Sequence, residues 1–492
     1  MKLNRLPVLA VALLTSALFL GLPPLAQEGD ALVEADRLLL TEIAENSEQM
    51  ENLRYLTDRI GPRLTGTEKL KRANEWTAER FRAYGLANVH LEPWTIAHSW
   101  RRGTVDARVV APSTLPLTAE AAGWSPDTPG PVRGRLVPVR ARTKEELEAY
   151  RGKLRGAIVL TPRAREAERK SPLHPRAPRP RRTILELLKF RGESYAFFRE
   201  EGVAAILRNS SKNFGLHTMS TASLDYHPGL VPTAYLAPES RNLLWRLLEK
   251  EKDIEVEVSI EGCAYSDGPV EVYNTVAEIP GREKPDEVVI LGAHLDSWDL
   301  GTGATDNGTG VSVVLEAARA LQKLGLKPKR TIRFILFSGE EQGLHGSRAY
   351  VKAHQDELDK ISAVLIHDAG TGRVETIMLN GNTQAYEVVN QALQPLRQMI
   401  GLEDFKLVKF NASDHAPFQW AGVPGFFCSQ ERATYRQTHH SQADTFDKVQ
   451  REGIVNGAQV LAVFAYNIAE LDDLLPRPAP SSSPGDPFRA LN

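Results

Sequence analysis

His294, Asp296 and Asp306 share a stretch that runs from a short apolar segment through a glycine-rich turn into the start of a helix. Downstream, Glu340-Glu341 and Asp368 each follow a further short apolar run, and a last segment ends at His440. Carboxylates are almost never fully buried unless they are paired or bound to metal. Their recurrence at successive strand ends therefore points to a site rather than to core packing. In an open α/β sheet, ligands bind in the crevice beyond the carboxyl ends of the strands, which is where this spacing would put them.

The residue types suit a hydrolytic metal centre. A catalytic zinc takes about four ligands with one position left to water. His294, Asp368 and Asp306 could serve one ion, and Glu341, His440 and a bridging Asp306 a second. The set then closes for two Zn2+ ions per chain, a pair about 3.5–4 Å apart that activates water and clamps a scissile carbonyl. Asp296, two residues from His294, can accept the proton on the other imidazole nitrogen and fix its tautomer. Glu340, beside a ligand but not needed as one, is placed to take a proton from water and pass it to a leaving amine. Residue chemistry leaves His439 and His440 open for one ligand position, and Ser413-Asp414-His415 reads as support. The Gly301–Gly310 turn is no phosphate loop, because it lacks the Lys-Ser/Thr ending and carries Asp306 where a dinucleotide fingerprint needs its third glycine.

Several elements must position these groups. Short β-branched or aromatic runs at Val288–Leu291, Thr331–Phe337, Ile361–Ile366, Thr376–Leu379, Lys406–Phe410 and Pro424–Cys428 alternate with helical segments, which predicts a doubly wound, mixed and mostly parallel sheet between helices. The stripe Val311, Val314, Leu315, Ala318, Leu321 marks the helix after the glycine-rich turn, with Gly325 as its stop. Upstream, a helical region from Ala31 to Gly85 precedes a strand at Val89–Trp94, and a final helix is expected over Arg451–Leu471. Arg63, in the turn Gly61–Thr67, reads as a solvated or helix-capping side chain. Between the halves, strands at Val132–Val139, Gly156–Leu160, Val203–Leu207 and Ile254–Ile260, with helices at Ile184–Glu201 and Glu239–Lys252, read as a smaller inserted α/β unit. Its Pro162–Arg182 loop is rich in Pro and Arg without interleaved aromatics, which reads as a solvated segment rather than a nucleic-acid patch. The expected divisions are 1–26 as a signal peptide, 27–130 as the first part of the main domain, 131–265 as the insert, 266–475 as the catalytic part and 476–492 as a disordered Pro/Ser-rich tail.

The chain of 492 residues, 42% hydrophobic and 25% charged, can bury a large core, and its net charge of -2 argues against nucleic acid as a partner. Lys2 and Arg5 precede an apolar run to about Leu22 and then Pro23–Gln27, the pattern of a secretory signal cleaved near Ala26 rather than a stable membrane anchor. The expected location is therefore secreted or periplasmic. Cys263 and Cys428 are the only cysteines, too few for a disulfide scaffold or a thiolate zinc site.

The motifs His294-Leu295-Asp296-Ser297-Trp298-Asp299, Asp306-Asn307-Gly308, Glu340-Glu341-Gln342-Gly343, His367-Asp368-Ala369-Gly370 and His440-Ser441-Gln442-Ala443-Asp444-Thr445 together resemble a known family. It is the co-catalytic dizinc exopeptidases that include bacterial leucine aminopeptidase, and within them the plasma glutamate carboxypeptidase (carboxypeptidase Q) branch. The similarity spans roughly 53–94 and 271–471. The resemblance implies the zinc exopeptidase fold, a bridging Asp306, Glu340 as general base and Glu341 as ligand. It selects His440 over His439, since the family's histidine lies four residues before the Asp of an Asp-Thr pair, and it makes Tyr435 a substrate-side tyrosine. It also implies that the insert is a protease-associated domain. The expected activity is hydrolysis of short peptides or dipeptides, with a homodimer as a possible assembly. The alternatives are a glutaminyl cyclase-like acyltransferase with a single metal, or a non-catalytic receptor-like homologue.

Overall fold

The computed structural model describes residues 25–161, 184–222 and 230–478. The expected signal segment up to residue 24, the Pro/Arg-rich loop and the tail beyond 478 lie outside them. The main sheet has seven strands: β1 Ala87–Ile96, β2 Val270–Ile279, β3 Lys284–His294, β4 Arg330–Phe337, β5 Ile361–Ile366, β6 Val374–Met378 and β7 Gly425–Gln430. Their order is β1-β2-β4-β3-β5-β7-β6. The four central strands run parallel, and β1, β2 and β6 pair antiparallel at the flanks.

Successive residues of β3 serve opposite faces, as period-two geometry demands. Val289, Leu291 and Ala293 pack with the helices Thr309–Lys323 and Arg451–Glu470, whereas Val288 and Ile290 join Phe337, Tyr350 and Phe418 on the other face. The sheet is thus covered on both sides, the condition for parallel strands that read as continuous apolar runs. Thr67 caps the helix Glu68–Ala83 through its side chain, and Gly325, at φ +66°, ends the helix Thr309–Lys323 as expected.

Two expectations change. Lys406–Phe410 is not a strand: Lys406 makes a single bridge to Met378, and Leu407 and Val408 stand 40% and 57% exposed, so alternation here had no face to bury. The second sheet also begins well before residue 131. Its eight strands run in the order Leu115–Leu117, Thr104–Ala111, Glu255–Glu261, Val132–Pro138, Ile158–Leu160, Ala205–Asn209, Thr233–Leu236, Ala119–Ala121. Thr104–Ala111 pairs with Glu255–Glu261 through more than a hundred intervening residues, a long-range register that local periodicity cannot reveal. Cys263 and Cys428 are both free.

A buried carboxyl lies far from the strand ends. Asp36, on the helix Leu25–Asn46, accepts one hydrogen bond at 3.1 Å from Asn467 while its other oxygen has no hydrogen-bond partner among the described residues, and burial pushes its pKa up to about 7. An acid whose folded pKa is raised costs stability as pH climbs from the unfolded value toward the folded one. Asp36→Asn should therefore gain stability over the parent as pH rises from about 4 to 7, levelling above that, by on the order of 2 kcal/mol in denaturant titrations. A gain that shrank with rising pH would contradict the buried-charge account.

Candidate active site

Register brings the candidate residues to one edge. His294 closes β3 opposite Phe337, the last residue of β4, and Gly292 pairs with Ile366, the last residue of β5. The chain beyond β4 therefore delivers Glu340 and Glu341, and that beyond β5 delivers Asp368, to the same end of the sheet. Asp306 comes from the turn before the helix Thr309–Lys323, and His440 follows the one-turn helix Tyr435–Thr438.

All five expected ligands meet. His294 Nε2 lies 3.2 Å from Asp368 Oδ1 and 3.4 Å from Asp306 Oδ1, while His440 Nε2 lies 2.7 Å from Glu341 Oε2 and 3.5 Å from Asp306 Oδ2. Asp306 thus turns one oxygen toward each histidine. His439 stacks on His440 with ring centroids 3.7 Å apart, and its own nitrogen is close enough to Asp306 to belong to the same cluster. Contact with Glu341 is what distinguishes His440. Tyr435 packs its ring against Gly370, at φ +98°, where a side chain would collide with it, and meets His439 edge-on.

The supporting contacts differ in one respect from expectation. The nearest acceptor for His294 Nδ1 is the main-chain oxygen of Asp296 at 3.0 Å, with the Asp296 carboxylate at 3.6 Å. That carboxylate instead accepts the backbone N–H of Glu340 at 3.3 Å, the N–H of Glu341 at 3.2 Å and the hydroxyl of Thr65 at 3.1 Å. Asp296 therefore ties the Glu340-Glu341 turn to the end of β3. Asp444 does the equivalent for Asp306, accepting from the N–H groups of Thr305 at 2.6 Å and Asp306 at 3.2 Å. Ser413 donates to Asp368 Oδ2 at 2.6 Å.

Arg63 is neither solvated nor a helix cap. It is fully buried and donates to the carbonyls of Leu295 at 2.6 Å, Thr302 at 2.9 Å and Gly303 at 2.8 Å, pinning both ends of the loop that joins His294 to Asp306. The sequence held no sign of this, because the partners are main-chain oxygens more than two hundred residues away.

The electrostatics show crowding of like charge. Burial, together with Asp368, Asp414 and Glu341, raises the pKa of Glu340 well above the usual carboxylate range. Burial and the carboxylates of Asp306, Asp296 and Asp368 do the same to Glu341. Burial opposes charge on His294, but Asp368, Asp296 and Asp306 outweigh it and carry its pKa well above normal. His439 drops to about 3 through burial and the neighbouring His440. The Tyr435 hydroxyl is held neutral, its pKa raised by burial and by Asp306, Asp368 and Glu341. Asp306 Oδ2 and both Glu341 oxygens are buried without a hydrogen-bond partner among the described residues. Orphaned carboxylate oxygens facing imidazole nitrogens fit a divalent cation, whose charge would offset their repulsion.

Residues 274–465 match the model of peptidase family M28. Carboxypeptidase Q of Bos taurus is 31% identical over 461 residues, covering 92% of each chain, and that of Homo sapiens 30% over 437 residues, covering 87% of this chain and 86% of its own. Among solved structures, a peptidase M28 precursor from Shewanella amazonensis superposes with a TM-score of 0.77 at 28% identity, over 92% of this chain and 99% of that one. The zinc aminopeptidase BSAP from Bacillus subtilis shares the fold at a TM-score of 0.63 and 21% identity, over 87% of this chain and 98% of its own.

Proposed function

Because this chain belongs to peptidase family M28 and aligns with carboxypeptidase Q along most of its length, we propose that it is a dizinc exopeptidase acting on short peptides or dipeptides with a free terminus. The observation that carries this reading is Asp306, shared between a His294–Asp368 cluster and a His440–Glu341 cluster. His294, Asp368 and Asp306 would hold one ion, and His440, Glu341 and Asp306 the other. Nitrogen and oxygen donors of this kind suit zinc, the metal named for the Bacillus subtilis neighbour. Zinc, when bound, supplies Lewis acidity toward the attacking water and the scissile carbonyl.

The chain's own residues do the rest. Glu340, its pKa raised by burial, takes the proton of the attacking water and returns it to the nitrogen of the departing amine. Asp296 holds that turn in place through its two backbone contacts. Tyr435, kept neutral, offers its hydroxyl to the substrate. Export through a signal at residues 1–26 is part of this reading, supported by Lys2 and Arg5 ahead of the apolar run to about Leu22; no helix among the described residues is long and apolar enough to cross a membrane.

The reading is tested by metal analysis of the purified chain combined with free, N-blocked and C-blocked dipeptides. Two zinc ions per chain and cleavage of the free dipeptide are expected, and the blocked pair separates aminopeptidase from carboxypeptidase action. One ion with cyclisation of a glutaminyl peptide, or no turnover of any dipeptide, overturns it.

A further inference from the structure

The two halves of the cluster are built differently. Around His294 and Asp368 the backbone is held within the main sheet: Leu295 N–H donates to Phe337 O at 2.6 Å and His367 N–H to Gly292 O at 3.0 Å. His440 has no such frame. It sits in the left-handed region at φ +54°, unusual for a residue with a side chain, just past a helix of one turn. The last carbonyls of a helix have no partner within it and must find one elsewhere.

Those partners come from the second sheet's unit. Lys212, buried at 9% exposure, donates through Nζ to the carbonyl of Arg436 at 3.0 Å and to that of His439. This places a cation on the C-terminal end of the helix, where the backbone dipole favours it. Met219 N–H donates to His440 O at 2.7 Å. His217 N–H donates to Gln442 Oε1 at 2.8 Å, and Gln442 Nε2 donates back to Gly215 O at 3.1 Å. The donor loop is itself braced, with Ser210 Oγ bonded to Leu216 O at 2.6 Å and Arg241 Nη1 to Ser210 O at 3.2 Å. One loop, residues 210–219, thus grips the main chain from Arg436 to His440 and the side chain of Gln442 just beyond that histidine.

We infer that the second unit is a structural half of the metal position formed by His440, Glu341 and Asp306, and that Lys212 is its positioning residue, while the position at His294 and Asp368 stands without it. The inference rests on the two-zinc reading above. Partners that orient a ligand are commonly worth about 10- to 100-fold in metal affinity, and here that loss should fall on one ion only.

The test is a zinc titration of the full-length chain against a competing chelator dye. Wild type should bind two ions. Lys212→Met should keep one at unchanged affinity and weaken the other about 10- to 100-fold, and Lys212→Arg, which can still donate to both carbonyls, should recover most of the loss. Adding Lys212→Met to Glu341→Gln, which already removes a ligand of that position, should change nothing further. Should Lys212→Met not fold, Gln442→Leu is judged by the same titration, with the same selective loss expected. Equal affinities in variant and wild type, or equal weakening of both ions, would overturn the inference and leave the two-zinc reading intact. A wild-type chain that binds a single zinc would overturn both.

Discussion

Glu340→Gln is expected to keep two zinc ions and to lower kcat by about 10³-fold, with KM for a cleaved dipeptide little changed. The substitution preserves shape, and the turn stays anchored because its hold is the backbone N–H of Glu340 on Asp296. What is lost is the ability to accept a proton. Glu341 next door cannot stand in, because its carboxylate is committed to His440 at 2.7 Å. Of the other acids in electrostatic reach, Asp368 is held by the Ser413 hydroxyl and lies 3.2 Å from His294, which leaves Asp414, raised to about 7 by burial and bound to the Ser347 hydroxyl at 2.5 Å. Near wild-type turnover by a zinc-loaded Glu340→Gln chain would therefore transfer the base to another group, and Asp414→Asn would be the next variant to measure.

How much of this was legible follows from what each residue contacts. His294, Glu340, Glu341 and Asp368 could be read because they end period-two or continuous apolar runs, and a parallel register then places such ends side by side. Asp306 was legible through its glycine-rich turn. Arg63 and Lys212 were not, because both bind main-chain carbonyls, and a carbonyl carries no residue identity for a sequence to display. The role of Asp296 was read half correctly: it does sit beside His294, but its carboxylate serves the N–H groups of Glu340 and Glu341, a partnership set by the packing of β3 against β4. The strand Thr104–Ala111 was missed for a related reason, since its long partner Glu255–Glu261 is remote in sequence and its other neighbour is only the three-residue strand Leu115–Leu117. Lys406–Phe410 fails in the opposite direction, offering a β-branched pattern with no sheet face to receive it.

Asp306→Ala is expected to release both zinc ions, whereas Asp368→Ala releases only one. Each imidazole has a carboxylate of its own, Asp368 for His294 and Glu341 for His440, at 3.2 Å and 2.7 Å. Either position alone is therefore a two-residue site, below the three protein ligands that catalytic zinc ordinarily needs. Asp306 would supply the third ligand to both, its oxygens lying 3.4 Å and 3.5 Å from the two histidines. It is also rigid at that point, because Asp444 fixes the N–H groups of Thr305 and Asp306 and leaves the carboxylate little freedom to favour one side. The measurement is zinc per chain after dialysis against a weak chelator, with near-UV circular dichroism to show that the fold is kept. A folded Asp306→Ala chain that still holds two ions would exclude the bridge. A chain that holds one would mean that a further donor completes a single position, and His439, already within the cluster, would be the residue to remove next.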